Sequence, residues 1–129
     1  MEAHGDERLW LPAAPTAARM ARAFVRRRWS HLENAATIDD VALCVSELVT
    51  NALDHAAPPF SLRISRRTAL LRVEVDDGSA QKPVLRPISP SSPRGRGMFL
   101  VSQTATAWGV APAAVGKTVW AEFETNGFG

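Results

Sequence analysis

Apolar positions along the chain recur with two periods, and the period changes partway. From Thr16 to about Leu32 the spacing is helical. Ala21, Val25, Trp29 and Leu32 line one face with Met20 and Phe24 beside them, and Arg19, Arg22, Arg26 and Arg27 lie largely opposite. A second helix follows, with Asp39 read as its N-cap and Asp40 favourable in its first turn; its apolar stripe runs through Val41, Val45, Leu48 and Ala52, and Pro58-Pro59 ends it. From Phe60 the period drops to two. Phe60 to Ser65 and Leu71 to Asp76 alternate apolar and polar around a short turn at Arg66 to Thr68, which predicts an antiparallel hairpin with one face on the core. A helix from Met98 to about Ala107 and two strands, Trp108 to Val110 and Thr118 to Phe123, complete the reading, with a turn near Val115-Gly116-Lys117. Arg8 to Leu11, stopped by Pro12 and Pro15, suits an edge strand, because proline cannot continue a central ladder.

Composition narrows the class. With 129 residues, 46% apolar and 22% charged, the chain predicts one globular unit, residues 1–129, and argues against wholesale disorder. Cys44 is the only cysteine, which excludes an internal disulfide and a Cys-based metal site and points to a cytoplasmic setting. No apolar run is long enough to span a bilayer, and the start of the chain lacks a signal peptide's basic and apolar segments, so no membrane partner is expected. A net charge of +2 is only mildly basic. The arginine-rich helix stands beside no recognised DNA-reading or RNA-reading motif, so no nucleic-acid partner is expected either. Between Ala80 and Arg96, Pro83, Pro87, Pro90 and Pro93 stand among serines and basic residues, a loop long enough to act as a lid.

The second helix carries a polar stripe as well. Glu47, Asn51 and His55 stand at i, i+4 and i+8, so a carboxylate, a carboxamide and an imidazole project from one side. A carboxylate one turn from an amide oxygen suits work on water, a hydroxyl or a hard divalent cation. Two further features follow in order: Asp77 at a strand end, and Gly95 and Gly97 at the opening of a helix. Glycines there let free N–H groups and the helix dipole address a phosphate closely. Asn51 can offer an oxygen to magnesium, Glu47 can orient or deprotonate an attacking hydroxyl, and Asp77 can accept from the exocyclic amine of adenine. Each feature alone also has an ordinary structural role, as a solvated helix face, a capped turn or a glycine turn. Val115-Gly116-Lys117-Thr118 imitates the end of a P-loop, but Ala111 stands where a glycine is needed and the segment leads into a strand.

Taken together, Glu47-Leu-Val-Thr-Asn51-Ala-Leu-Asp-His55-Ala, Val73-Glu-Val-Asp-Asp77-Gly-Ser and Arg94-Gly95-Arg96-Gly97-Met98-Phe-Leu-Val resemble the N, G1 and G2 boxes of the GHKL ATPases. The chain is most similar to the short, stand-alone anti-sigma-factor serine kinases, including in its ending from Trp108 through Gly116-Lys117-Thr118 to Phe123 and in Leu11-Pro12 before an arginine-rich helix. The resemblance implies an α/β two-layer (Bergerat-type) sandwich, with a mixed, mostly antiparallel sheet, helices on one face, and ATP held beneath a mobile lid at about 80–96. It implies that Glu47 is the catalytic base and that Asn51 coordinates Mg2+ bridging the phosphates. Asp77, followed by Ser79, binds the adenine amine, and Gly95 and Gly97 contact the phosphates with Met98 beside them. Arg94 and Arg96 either offset triphosphate charge or stay solvated, Thr118 belongs to the nucleotide site, and His55 lines or braces it. One departure stands out: a G1 box usually reads Asp-x-Gly-x-Gly, whereas Asp77-Gly78-Ser79-Ala80 lacks both glycines at those places. Asp76-x-Gly78 would fit the first half of the pattern, but Asp76 shares a strand side with Arg72 and Glu74, so the assignment goes to Asp77. The function implied is an ATP-dependent protein kinase that phosphorylates a serine or threonine of an anti-sigma-factor antagonist, with a sigma factor as a further partner and a homodimer common among relatives. The alternative is a regulator with weak nucleotide binding and no useful catalysis, which sequesters a sigma factor or antagonist.

Overall fold

The computed structural model describes residues 7–79, 96–113 and 115–125, with 96–99 described by backbone alone. Its elements in chain order are β1 (Glu7–Leu11), α1 (Thr16–Trp29), α2 (Ala35–His55), β2 (Phe60–Arg67), β3 (Leu70–Asp77), α3 (Arg96–Thr104), β4 (Ala107–Pro112) and β5 (Lys117–Glu124). The strands form one sheet in the order β1-β2-β3-β5-β4, and all four pairings are antiparallel. The proline-stopped first strand lies at an edge, and the other edge strand, β4, ends at Pro112.

Strand alternation builds the core. Leu62, Ile64, Leu71, Val73, Val75, Val119, Ala121 and Phe123 point to one side of the sheet, where they meet Ala21, Val25, Trp29, Val41, Val45, Leu48 and Val49 of the first two helices in a single buried cluster. Burial of side chains of this size contributes about 1.5–3 kcal/mol each, so the cluster dominates the stability of the fold. Helix α2 sits at the centre of the helical layer, packed by α1 and α3 and resting on β3 and β5. The two-layer α/β sandwich expected from the sequence is therefore present.

Boundaries differ in instructive places. Helix α2 begins at Ala35, four residues before the expected cap, because the Asn34 side chain accepts from the Thr37 N–H at 2.8 Å. Asp39 lies inside the helix and pairs instead with Arg26 at 3.0 Å. Helix α1 stops at Trp29, short of Leu32. The connection that follows carries Glu33, which is buried and accepts from Arg66 Nε at 3.0 Å and Thr125 Oγ1 at 2.6 Å. These bonds tie the helical hairpin to the far end of the sheet. The β2–β3 hairpin extends to Arg67 and turns at Thr68-Ala69, with Ala69 at φ 61°. Strand β5 starts one residue early, at Lys117.

Candidate functional site

At the carboxyl-terminal end of α2, Asn51 and His55 project one turn apart into a small cavity. Leu48, Ala52, Ala56, Asp77, Lys117 and Val119 form the rest of its wall. Its volume is about 10 Å3, the room of roughly one water molecule.

Asp77 and Lys117 face each other at the ends of adjacent strands, as a directly opposed pair in the β3–β5 register. Alternation puts both on the helix side, where each is buried, Asp77 at 4% and Lys117 at 6% exposure. Lys117 Nζ donates to Asp77 Oδ1 at 3.1 Å and lies 3.1 Å from Oδ2 as well. The Ser79 backbone N–H donates to the same Oδ1 at 2.8 Å. Oδ2 is buried without a hydrogen bond, since the ammonium near it approaches out of line. The pair thus leaves one carboxylate oxygen aimed at a directional donor that the described residues do not supply.

Two glycines clamp this corner. Gly78 donates to the Ala57 carbonyl at 2.7 Å, and a Cβ on it would stand 2.5 Å from the Pro58 oxygen. Gly116 has φ +79°, and a Cβ there would fall 1.8 Å from the Asp77 carbonyl oxygen. The backbone on both sides of the pair is therefore held in place by contacts that only glycine allows.

Glu47 lies one turn before Asn51 and is half-buried, though it does not line the cavity. Burial pushes its carboxyl above the usual range. Cys44, one turn earlier still, has its thiol pushed up to about 12 by burial first and then by the charges of Asp40 and Glu47, with a Thr104 hydrogen bond working the other way. It is an inert core thiol.

The structure places Asp77 and Thr118, both assigned to the nucleotide site by the resemblance, on opposite faces of the sheet. Thr118 points to the opposite face of β5 from Lys117, where its hydroxyl bonds Asp76 Oδ1. Asp76 also receives Arg63 Nε at 2.7 Å and lies 3.8 Å from Arg8. Thr118 therefore stands beneath the open face of the sheet, away from the cavity that Asp77 enters, because a single residue step inverts side-chain direction in a strand. Asp76 shares that open face with Arg72 and Glu74, as expected. Ser79 contributes its backbone N–H to Asp77. Arg94 and Gly95, with most of the expected lid, lie outside the described residues, and Arg96, Gly97 and Met98 form the first turn of α3. Lys117 is the site residue that sequence reasoning passed over. Its signal was the alternation Lys117, Val119, Ala121, Phe123, which places it on the core side.

This open acceptor suits a purine amine, which would supply the missing N–H to Asp77 Oδ2. Among the described residues no three His, Cys, Asp or Glu side chains converge to hold a metal ion. A magnesium ion at this site would take the Asn51 oxygen together with water and phosphate oxygens, the mixed shell that this ion prefers. No helix among the described residues is long and apolar enough to cross a membrane.

Residues 11–123 match the family model of the histidine kinase-like ATPase domain. Among curated proteins none matches the chain in sequence. Among solved structures it is similar to the RsbU and RsbW domains of Rv1364c from Mycobacterium tuberculosis, with 18% identity and a TM-score of 0.70 over 94% of this chain and 32% of that one. It is also similar to the histidine kinase domain of the blue-light activated histidine kinase from Erythrobacter litoralis EL346, with 20% identity and a TM-score of 0.53 over 88% and 61% respectively. The chain thus spans about a third of the first structure and three-fifths of the second. Both likenesses concern the fold.

Proposed function

Because the chain belongs to the histidine kinase-like ATPase family, we propose that it binds ATP with magnesium and transfers the γ-phosphoryl group to a serine or threonine hydroxyl of a partner protein. One observation carries the reading: Asp77, whose buried Oδ2 has no hydrogen bond, lines the same cavity as Asn51 and His55 of the helix that also bears Glu47. Bound Mg-ATP would supply the transferable phosphoryl group and a cation to neutralise its charge. Asp77 accepts from the adenine amine and fixes the base. Asn51 would offer its oxygen to the cation, and His55 borders the pocket at the end of the helix. Glu47 accepts the proton of the incoming hydroxyl as its oxygen bonds to the γ-phosphorus and the bond to the ADP oxygen breaks. A carboxyl raised above its usual range is the stronger base for that step. By the resemblance of their motif, Gly95 and Gly97 are assigned to the phosphates together with Arg94, Arg96 and Met98.

The regulatory reading extends this to an anti-sigma-factor antagonist as the phosphorylated protein, a sigma factor as the second partner, a homodimer and a cytoplasmic setting. It is supported by the family and by a fold shared with a structure that contains an RsbW domain. The test pairs calorimetry with a phosphate-transfer assay on partners recovered with and without ATP. Glu47→Ala should keep Mg-ATP binding and lose transfer by about a hundredfold or more, the scale of a lost general base. Transfer at the wild-type rate would sink the assignment.

A second reading is favoured by the same corner. A cavity with room for one water, with its aspartate already paired to Lys117, suits a weak nucleotide binder that sequesters its partner without catalysis. Absence of heat with millimolar Mg-ATP would select it.

A further inference from the structure

We propose that Lys117 is a built-in stand-in for the nucleotide's exocyclic amine, and so the residue that sets how strongly this pocket selects adenine over a purine without the amine. The inference rests on the nucleotide reading above.

Its ground is the geometry of one carboxylate. Oδ1 of Asp77 is occupied, with the Ser79 N–H at 2.8 Å and Lys117 Nζ at 3.1 Å. Oδ2 keeps its hydrogen-bonding direction open while the same ammonium lies 3.1 Å away out of line. An ammonium and an aromatic amine are both N–H donors, so both address this carboxylate, the ammonium now bonded through Oδ1. A cavity of about 10 Å3, with Lys117 in its wall, admits no purine until part of that wall moves.

The lysine is a part of the wall that can yield. Asp77 is held by Ser79 and by the Gly78 and Gly116 backbone clamps, and Leu48, Ala52 and Val119 belong to the core. Lys117 ends in a flexible four-carbon stem at the first position of β5, next to the turn, so its ammonium can swing toward water. Binding then exchanges one donor for another on Asp77. The amine's contribution is reduced by the ion pair it displaces. A purine with a carbonyl in place of the amine loses less than usual, because the ammonium can donate to that oxygen. Without the lysine, the empty pocket holds a buried carboxylate with no counter-charge, and a bound amine relieves it in full.

The test compares dissociation constants of Mg-ATP and Mg-ITP for the full chain, for Lys117→Met and for Lys117→Thr. The wild type should prefer ATP by no more than about threefold. Lys117→Met should widen that preference by about tenfold or more through tighter ATP binding, the span of one hydrogen bond to a charged acceptor. Lys117→Thr, with its β-branched side chain suited to a strand, should show the same widening if the methionine variant does not fold. Wild-type preference for ATP beyond tenfold, or variants that shift both nucleotides by one factor, would overturn the proposal while leaving nucleotide binding intact. Failure of all three proteins to bind either nucleotide would remove the nucleotide reading and this inference with it. Binding of ATP by the variants alone would support both.

Discussion

Asp76 and Asp77 are adjacent on β3, and their surroundings could hardly differ more. Asp76 points to the open face of the sheet, where Arg63, Arg8, Ser61 and Thr118 surround it. That face continues as a lattice of alternating charge: Arg63 pairs with Glu74, Arg72 bridges Glu74 at 2.6 Å and Glu122 at 2.5 Å, and the Arg72 guanidinium stacks 4.5 Å over Trp120. Asp77 points into the layer between sheet and helices, with one lysine, one backbone N–H and one oxygen left over. The saturated carboxylate holds strands together. The unsaturated one is equipped to receive something. Satisfaction of hydrogen bonds, more than charge or burial alone, separates the structural aspartate from the one proposed to hold the base.

The largest effect should come from forcing the backbone beneath the buried pair. Gly116→Ala adds a Cβ 1.8 Å from the Asp77 carbonyl at a φ of +79°, so the turn must open. We expect a loss of about 3 kcal/mol or more, combining backbone strain with overpacking, read as a lowered denaturation midpoint. Asp77→Asn comes next. It leaves a buried ammonium without its partner, at about 3 kcal/mol, and removes nucleotide binding. Asp76→Asn is the matched control. On the half-exposed face it should cost about 1 kcal/mol and leave nucleotide binding unchanged. Equal effects of the two substitutions on nucleotide affinity would erase the distinction between the faces.

Much of this contrast was legible in the sequence, for a reason of period. Alternation through Leu71, Val73 and Val75 already sends Asp77 inward and Asp76 outward, which is why the Arg72 and Glu74 side decided the assignment. Applied to the last strand, the same rule sends Lys117 inward and Thr118 outward. The resemblance to a nucleotide-binding family implies a role for Thr118 and none for Lys117. Elsewhere the limits were local. Asn34 and Asp39 both qualify as helix caps, and only the geometry of the connection from Trp29 chooses Asn34. Glu33 reads as a surface residue in any window of sequence, because its partners Arg66 and Thr125 lie 33 and 92 positions away. Within the altered G1 box, Gly78 is required by its close approach to Pro58.

The smallest effects concern pH, where a third carboxylate sharpens the comparison. Burial tends to raise the Asp76 carboxyl, but hydrogen bonds from Arg63 and Thr118 and the charges of Arg63 and Arg8 outweigh it and hold the group below its usual range. Its contribution to stability is present above the unfolded value of 3.8 and is lost as pH falls through the depressed folded value, so Asp76→Asn should flatten the acid limb of a stability profile. Glu47 has burial alone behind its shift, and the sign reverses. Its folded state binds the proton more tightly than the unfolded state, so stability is highest below the unfolded value of 4.5 and falls as pH rises through the raised folded value. At neutral pH the ionised Glu47 therefore costs stability, and Glu47→Gln should raise the melting temperature slightly while abolishing transfer. Thermal melts from pH 4 to 8 check both signs. A Glu47→Gln variant that melts below the wild type at neutral pH would mean that this carboxylate is held by a donor, and would move it from the functional side of the comparison to the structural one.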